Sequence, residues 1–166
     1  LCDDMSDQAE ARGLQIQIGS LSDPSKWMVH GEYDAVTLLY AYGHLPDRKT
    51  REGIIQAAFD MLKPGGRFYF DAFDIDDPNE WGPVALSQYK NQRLEKQGYQ
   101  AGDVFYRRAK GDHLAFLHYC SVSRLKELMD TAGFRDVQMT TIGYDESSGV
   151  ESHDGKIFVA GTKPLA

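Results

Sequence analysis

The side chains able to do chemistry are scattered, and few stand at a spacing that dictates one reaction. His30, His44, His113, His118 and His153 show no paired zinc spacing. Cys2 and Cys120 lie far apart, so reduced, unpaired thiols are expected, and no elbow motif surrounds any serine. Asp71, Asp74, Asp76 and Asp77 resemble oxygen ligands for a divalent cation. Such a site needs ligands from at least two loops, and the neighbouring strand end at Leu39–Tyr42 offers no carboxylate. The four acids read as a solvated acidic loop, and no metal is expected. His44, in Gly43-His-Leu-Pro-Asp47, has an imidazole in the pKa range of a general base, or is a hydrogen-bonded structural histidine. Tyr106, Arg107 and Arg108 face His118 and Tyr119 across a hairpin. Alternation turns some of these five away, so they line a pocket in part or form a surface hairpin.

The elements that must position these groups follow from periodicity. Residues 3–12 read as a short helix closed by Gly13, and 14–18 alternate strictly, as a strand with one apolar face does. Asp23-Pro24 opens a helical turn carrying Trp27 and Met28. Residues 35–39 are mostly apolar, as in a strand covered on both faces. Asp47 to Thr50 starts a helix with Ile54, Ile55, Ala58, Phe59 and Leu62 on one side, ended by Lys63-Pro-Gly-Gly66. Residues 67–73 form the next strand, and a polar helix near 84–96 follows an irregular acidic stretch. A hairpin of 103–109 and 113–119 turns at Lys110-Gly-Asp112. Ser121 caps an amphipathic helix closed by Gly133, and strands near 137–143 and 156–162 end the chain. This order predicts an α/β fold with a mostly parallel sheet, helices on both faces, and last two strands antiparallel to each other.

The chain has 166 residues, 42% hydrophobic and 26% charged, which fits one domain with a real core. A net charge of −7 argues against nucleic acid and anionic membrane as partners. No apolar run approaches the ~20 residues of a membrane span, and no signal peptide is visible at Leu1, so a cytoplasmic protein is expected. A start at Leu-Cys-Asp, without Met, suggests a piece of something longer.

Four stretches resemble the class I S-adenosylmethionine-dependent methyltransferases, in that family's order. They are LCDDMSDQAEARG, YDAVTLLYAYGHLPD, MLKPGGRFYFDAFD and HYCSVSRLKELMDTAGFRDV, of which the glycine-containing LKPGG signature is the most specific. The resemblance implies a three-layer Rossmann-like sheet, with one domain over 1–166 and a helix-hairpin insert at about 74–119. It implies S-adenosylmethionine as cofactor, S-adenosylhomocysteine as product and a small-molecule methyl acceptor. By the same resemblance Ser20, Leu21, Leu39, Tyr40 and Ala41 border the cofactor. Tyr42, His44, Tyr106, Arg107, His118 and Tyr119 face the acceptor. His44 is the first choice for a catalytic base, followed by His118 or Tyr40.

The chain departs from the family pattern at the cofactor. It contains no G-x-G, and Asp3 and Asp4 follow the place of the family's ribose-binding acid. Ser20 stands where an adenine-contacting Asp is common. The family's first two strands are expected to be absent, which leaves 35–39 as a sheet edge. That edge is covered by a segment outside this chain, by a second copy in a homodimer, or by direct pairing with 14–18. A non-catalytic domain that binds a partner or itself is the alternative function.

Overall fold

The computed structural model describes residues 3–15, 19–26, 28–107, 114–142 and 155–165. Helix α1 is Asp3–Ala11, and a 3-10 turn follows at Pro24–Lys26. Strand β1 is Tyr33–Leu38, helix α2 Arg48–Met61, strand β2 Leu62–Asp74 and helix α3 Gly82–Asn91. Then come β3 (Asp103–Arg107), β4 (Leu114–Cys120), α4 (Val122–Ala132), β5 (Arg135–Ile142) and β6 (Lys156–Thr162). The expected elements recur, except that Leu14 and Gln15 are not in a strand. The rest of that expected strand, like Trp27, Arg108 and the hairpin turn, lies outside the described residues.

Strand β2 is the centre of a six-stranded sheet. On one edge it pairs in parallel with β1 through Arg67–Phe70, then with β4 at Phe73 and Asp74. On its other edge it pairs antiparallel with β6, which pairs antiparallel with β5. The last two strands are antiparallel, as expected. The hairpin also joins the sheet, because β4 takes over the edge of β2 beyond the end of β1. Antiparallel pairing is therefore commoner here than a mostly parallel sheet would have it.

The core lies on one face of this sheet. Phe68 and Phe70 alternate inward on β2, and Phe68 stacks at 5.7 Å on Phe134 after α4. Ile54, Ile55, Ala57 and Ala58 of α2 and Leu125, Leu128 and Met129 of α4 cover them. Both of these helices stand on this one face. Facing the other way, Tyr69, Phe158, Ala160 and Thr140 line a hollow of about 150 Å³ beside Leu39.

Two boundaries differ from the sequence reading for local reasons. Helix α2 ends at Met61, before Pro64, and Leu62 is already extended at φ −76° and ψ 143°. The residue before a proline avoids the helical region, so the chain straightens early and β2 runs through Pro-Gly-Gly. Lys163 Nζ then donates to the Leu62 carbonyl at 2.8 Å and, at 2.9 Å, to the Phe59 carbonyl, which also accepts from the Leu62 amide at the helix end. Strand β1 was expected to be covered on both faces, yet Tyr33, Asp34, Ala35 and Thr37 are exposed. Among the described residues β1 pairs with β2 alone, so its outer edge carries no partner strand.

Helix α2 begins at Asp47, whose carboxylate accepts from the Thr50 amide at 2.8 Å and from its hydroxyl at 2.7 Å. Replacing an N-cap of this kind removes the acceptor for an otherwise orphaned amide. Asp47→Ala is expected to destabilise the fold by about 1 kcal/mol, measured by urea unfolding.

Candidate active site

The loop after β1 leads straight to the largest group of functional side chains. Leu39, Tyr40 and Ala41 form a turn beyond the strand, and Tyr42–His44 make a 3-10 turn before α2. Gly43 lets this turn press on the sheet, since a Cβ there would lie 2.6 Å from Phe73 Cε2 and 3.2 Å from the His118 carbonyl oxygen. Tyr42 is thereby buried against Phe70, with ring centroids 5.3 Å apart.

A cavity of about 390 Å³ opens here between the starts of α2 and α4 and the end of β4. Tyr42, His118 and Tyr119, three of the six expected acceptor-facing residues, line it. The other three do not. His44 is exposed and meets Phe73 edge-on at 6.0 Å. Tyr106 packs on Trp81 at 4.8 Å, and Arg107 is exposed at the end of β3. Position along the hairpin divides the group: Tyr106 and Arg107 lie toward its turn, opposite Ala115 and Leu114, whereas His118 and Tyr119 lie at the far end of β4.

Behind His118 stands a buried polar chain that the sequence reading did not assemble. His118 Nδ1 lies 2.6 Å from Asp103 Oδ1, its direct cross-strand partner. The ionised carboxylate only accepts, so Nδ1 carries the proton and Nε2 keeps its lone pair. Nε2 is 3.2 Å from the Cys120 sulfur. Arg51 reaches in from α2, donating to the Leu45 carbonyl at 2.6 Å, to Gln100 Oε1, and to Asp103 Oδ1 at 3.5 Å. Arg51 is 2% exposed and Asp103 1%, so each charge has exchanged water for these partners. Arg124, at the start of α4, is held by Glu52 and Glu127 at the cavity rim.

Burial sets the protonation states. It lowers His118 below the ordinary 6.5, against the pull of the Asp103 hydrogen bond, so the imidazole is neutral at pH 7. It raises the Cys120 thiol to about 11, which keeps the sulfur protonated, and raises the Tyr42 and Tyr119 phenols as well. Tyr119 donates to Glu80 at 3.0 Å.

The acids of the supposedly solvated loop need correction. Asp71 is 3% exposed on β2 and pairs with buried Lys156 at 3.3 Å, and Asp77 is also buried. Asp74 and Asp77 accept from the Asp76 and Asn79 amides and so shape the turn after β2. Asp71 was grouped with the loop because its apolar neighbours Phe70 and Ala72 gave no sign that the alternate face was also covered. Among the described residues no three His, Cys, Asp or Glu side chains converge as a metal site.

At the expected cofactor positions, Ser20 is exposed and its hydroxyl is 2.7 Å from that of Ser22. Leu21 packs on the core and lines a hollow with Val36 and Leu38. Leu39 is 50% and Tyr40 63% exposed, with Ala41 half-buried.

The family pattern for a methyltransferase domain matches residues 3–139. The chain belongs to the methyltransferase-domain family. No curated protein matches it. Among solved structures it is similar to an S-adenosylmethionine-dependent methyltransferase from Methanosarcina mazei, with TM-score 0.67 and 17% identity, over 90% of this chain and 67% of that one. A second, from Thermotoga maritima, is described as a possible histamine N-methyltransferase, with TM-score 0.61 and 16% identity, over 97% and 70%. A third is the 1,6-didemethyltoxoflavin-N1-methyltransferase of Burkholderia thailandensis, with bound 1,6-didemethyltoxoflavin and S-adenosylhomocysteine. It has TM-score 0.55 and 14% identity, over 97% and 56%. At these identities the likeness is one of fold, the expected Rossmann-like methyltransferase fold. Among the described residues no helix is long and apolar enough to cross a membrane.

Because burial holds the folded-state pKa of His118 below 6.5, the unfolded chain takes up this proton first as the pH falls. The stability is present above that value and is lost as the pH drops through it. Thermal melts between pH 7.5 and about 5.5 are expected to show a falling midpoint, with a shallower slope for His118→Asn.

Proposed function

We propose that this methyltransferase-domain protein moves a methyl group from S-adenosylmethionine to a small molecule held in the 390 Å³ cavity. The observation that carries this reading is continuity. Leu39, Tyr40 and Ala41 at the carboxyl end of β1 run directly into Tyr42, which walls the cavity. Ligands of open α/β sheets gather at such strand ends. Half-exposed Leu39 and the backbone of 39–41 suit one side of an adenosyl group. Leu21 is turned into the core, and the Ser20 hydroxyl offers an exposed acceptor weaker than a carboxylate. When bound, the cofactor supplies an electrophilic methyl group. The chain's own share is to hold the acceptor close and aligned and to receive its proton.

His118 serves that second task better than His44. It lines the cavity, is neutral at pH 7, and its Nε2 lone pair is set by the bond from Nδ1–H to Asp103. Arg51 keeps Asp103 in place. Cys120 lies against Nε2 and would yield that position to an acceptor hydroxyl or amine. Tyr42 and Tyr119 supply aromatic walls for a small ring.

The outer edge of β1 favours a second reading, a domain that binds a partner or a second copy without catalysis. Its support is one-sided pairing among the described residues, with exposed Tyr33, Leu39 and Tyr40 nearby.

Calorimetry of the protein with S-adenosylhomocysteine separates the two. Saturable binding supports the enzyme, whereas a sedimenting dimer that takes up no S-adenosylhomocysteine favours the second reading. Turnover is then followed as S-adenosylhomocysteine release across a panel of small phenols, amines and carboxylic acids. His118→Asn is expected to lower kcat by roughly 10²–10⁴-fold and to remove the fall in rate at acidic pH, while His44→Asn leaves both nearly unchanged.

A further inference from the structure

A second buried polar cluster, on the opposite face of β2, touches the same turn. Asp71 Oδ1 accepts from the Tyr40 amide at 2.5 Å, and Asp71 Oδ2 lies 3.3 Å from Lys156 Nζ. Asp71 is 3% and Lys156 4% exposed. Lys156 Nζ also sits 3.3 Å from the centroid of the Tyr40 ring and 5.6 Å from that of Phe73. Tyr40 has φ +56°, in the left-handed region that a bulky side chain seldom enters.

These contacts fit together. Strand β1 stops pairing with β2 at Leu38↔Phe70, so the next amide needing a partner is that of the turn. Asp71, one residue beyond Phe70, provides an ionised acceptor for it. A buried carboxylate would itself be costly, and Lys156 from β6 balances it. The ammonium group then holds the Tyr40 ring by a cation–π contact. Backbone and side chain are thus gripped at a residue whose backbone would otherwise relax to negative φ.

We propose that Asp71 and Lys156 are positioning residues for the cofactor. They hold Tyr40 in the left-handed conformation and thereby aim Leu39 and Ala41 at the place where the adenosyl group would lie. This rests on the reading that the carboxyl end of β1 borders S-adenosylmethionine. The pair acts through the turn and has no contact of its own with the cofactor or the acceptor.

The test compares two substitutions of Tyr40 that both lose the aromatic ring. Asparagine enters the left-handed region readily, and a β-branched valine does not. Tyr40→Val is expected to bind S-adenosylhomocysteine at least about tenfold more weakly than Tyr40→Asn, by calorimetry on the full chain. Equal affinities for the two variants would overturn the proposal, whatever their melting temperatures. Hydrogen exchange without any ligand gives a second reading of the lock. The Tyr40 amide should exchange slowly in the parent and fast in Asp71→Ala/Lys156→Met, a pair chosen so that no buried charge is left alone. Slow exchange in that double variant would also overturn it. If the parent binds no S-adenosylhomocysteine, the cofactor reading fails, and the positioning role falls with it even where amide exchange upholds the lock.

Discussion

One edge of β2 is shared between two strands, and the site depends on where the first gives way to the second. Strand β1 occupies that edge to Phe70, and β4 resumes it at Phe73. Backbone groups in the interval still need partners. The Asp71 carboxylate serves the Tyr40 amide, and the chain leaves β1 in a left-handed turn. The loop then lies across the gap, where Gly43 allows contact with Phe73 and β4. The wall at Tyr42 and the wall at His118 and Tyr119 are thus brought together by strand succession.

Two buried charged clusters flank this junction. Asp71 and Lys156 lie on one side, and Arg51, Asp103 and His118 on the other. Neither is expected to stabilise the fold much relative to apolar residues of equal volume, because desolvation offsets most of the attraction. Their effect is on geometry. Each group is bound to a particular partner in a particular direction, which suits the proposed alignment of cofactor and acceptor. A neutral imidazole at the cavity wall, with its Nε2 against the Cys120 sulfur, is the chemical result of the second cluster.

Much of the fold was legible from local pattern. Apolar spacing marked α2 and α4, Asp47 and Ser121 marked their starts, and alternation marked the hairpin. Part of the lining of the candidate site was legible too, since Tyr42, His118 and Tyr119, all singled out from the sequence, line the cavity. The Asp103–His118 contact was not legible, because counting outward from a turn at Lys110-Gly-Asp112 sets Asp103 opposite Tyr119, one residue away from the observed register. Arg51 gave no signal either. It reads as a surface residue of an amphipathic helix, and burial of its guanidinium depends on acceptors supplied by Leu45 and by residues some fifty positions away. His44 stands apart from the cavity for the converse reason. Its neighbours match a family motif, but Gly43 and Phe73 fix the turn so that its ring lies outside the cavity.

The sequence by itself determined which segments become helix or strand and which family the chain joins. Those properties rest on periodicity, caps and short motifs, whose causes are local in the chain. Only the tertiary structure decided which polar residues lose water together. Asp71 is buried because β1, β2 and β6 converge on it, and His118 is neutral because burial, with the Arg51 charge nearby, outweighs the pull of the Asp103 hydrogen bond. Desolvation is a property of the assembled surroundings, so a residue's own neighbours in the chain do not carry it.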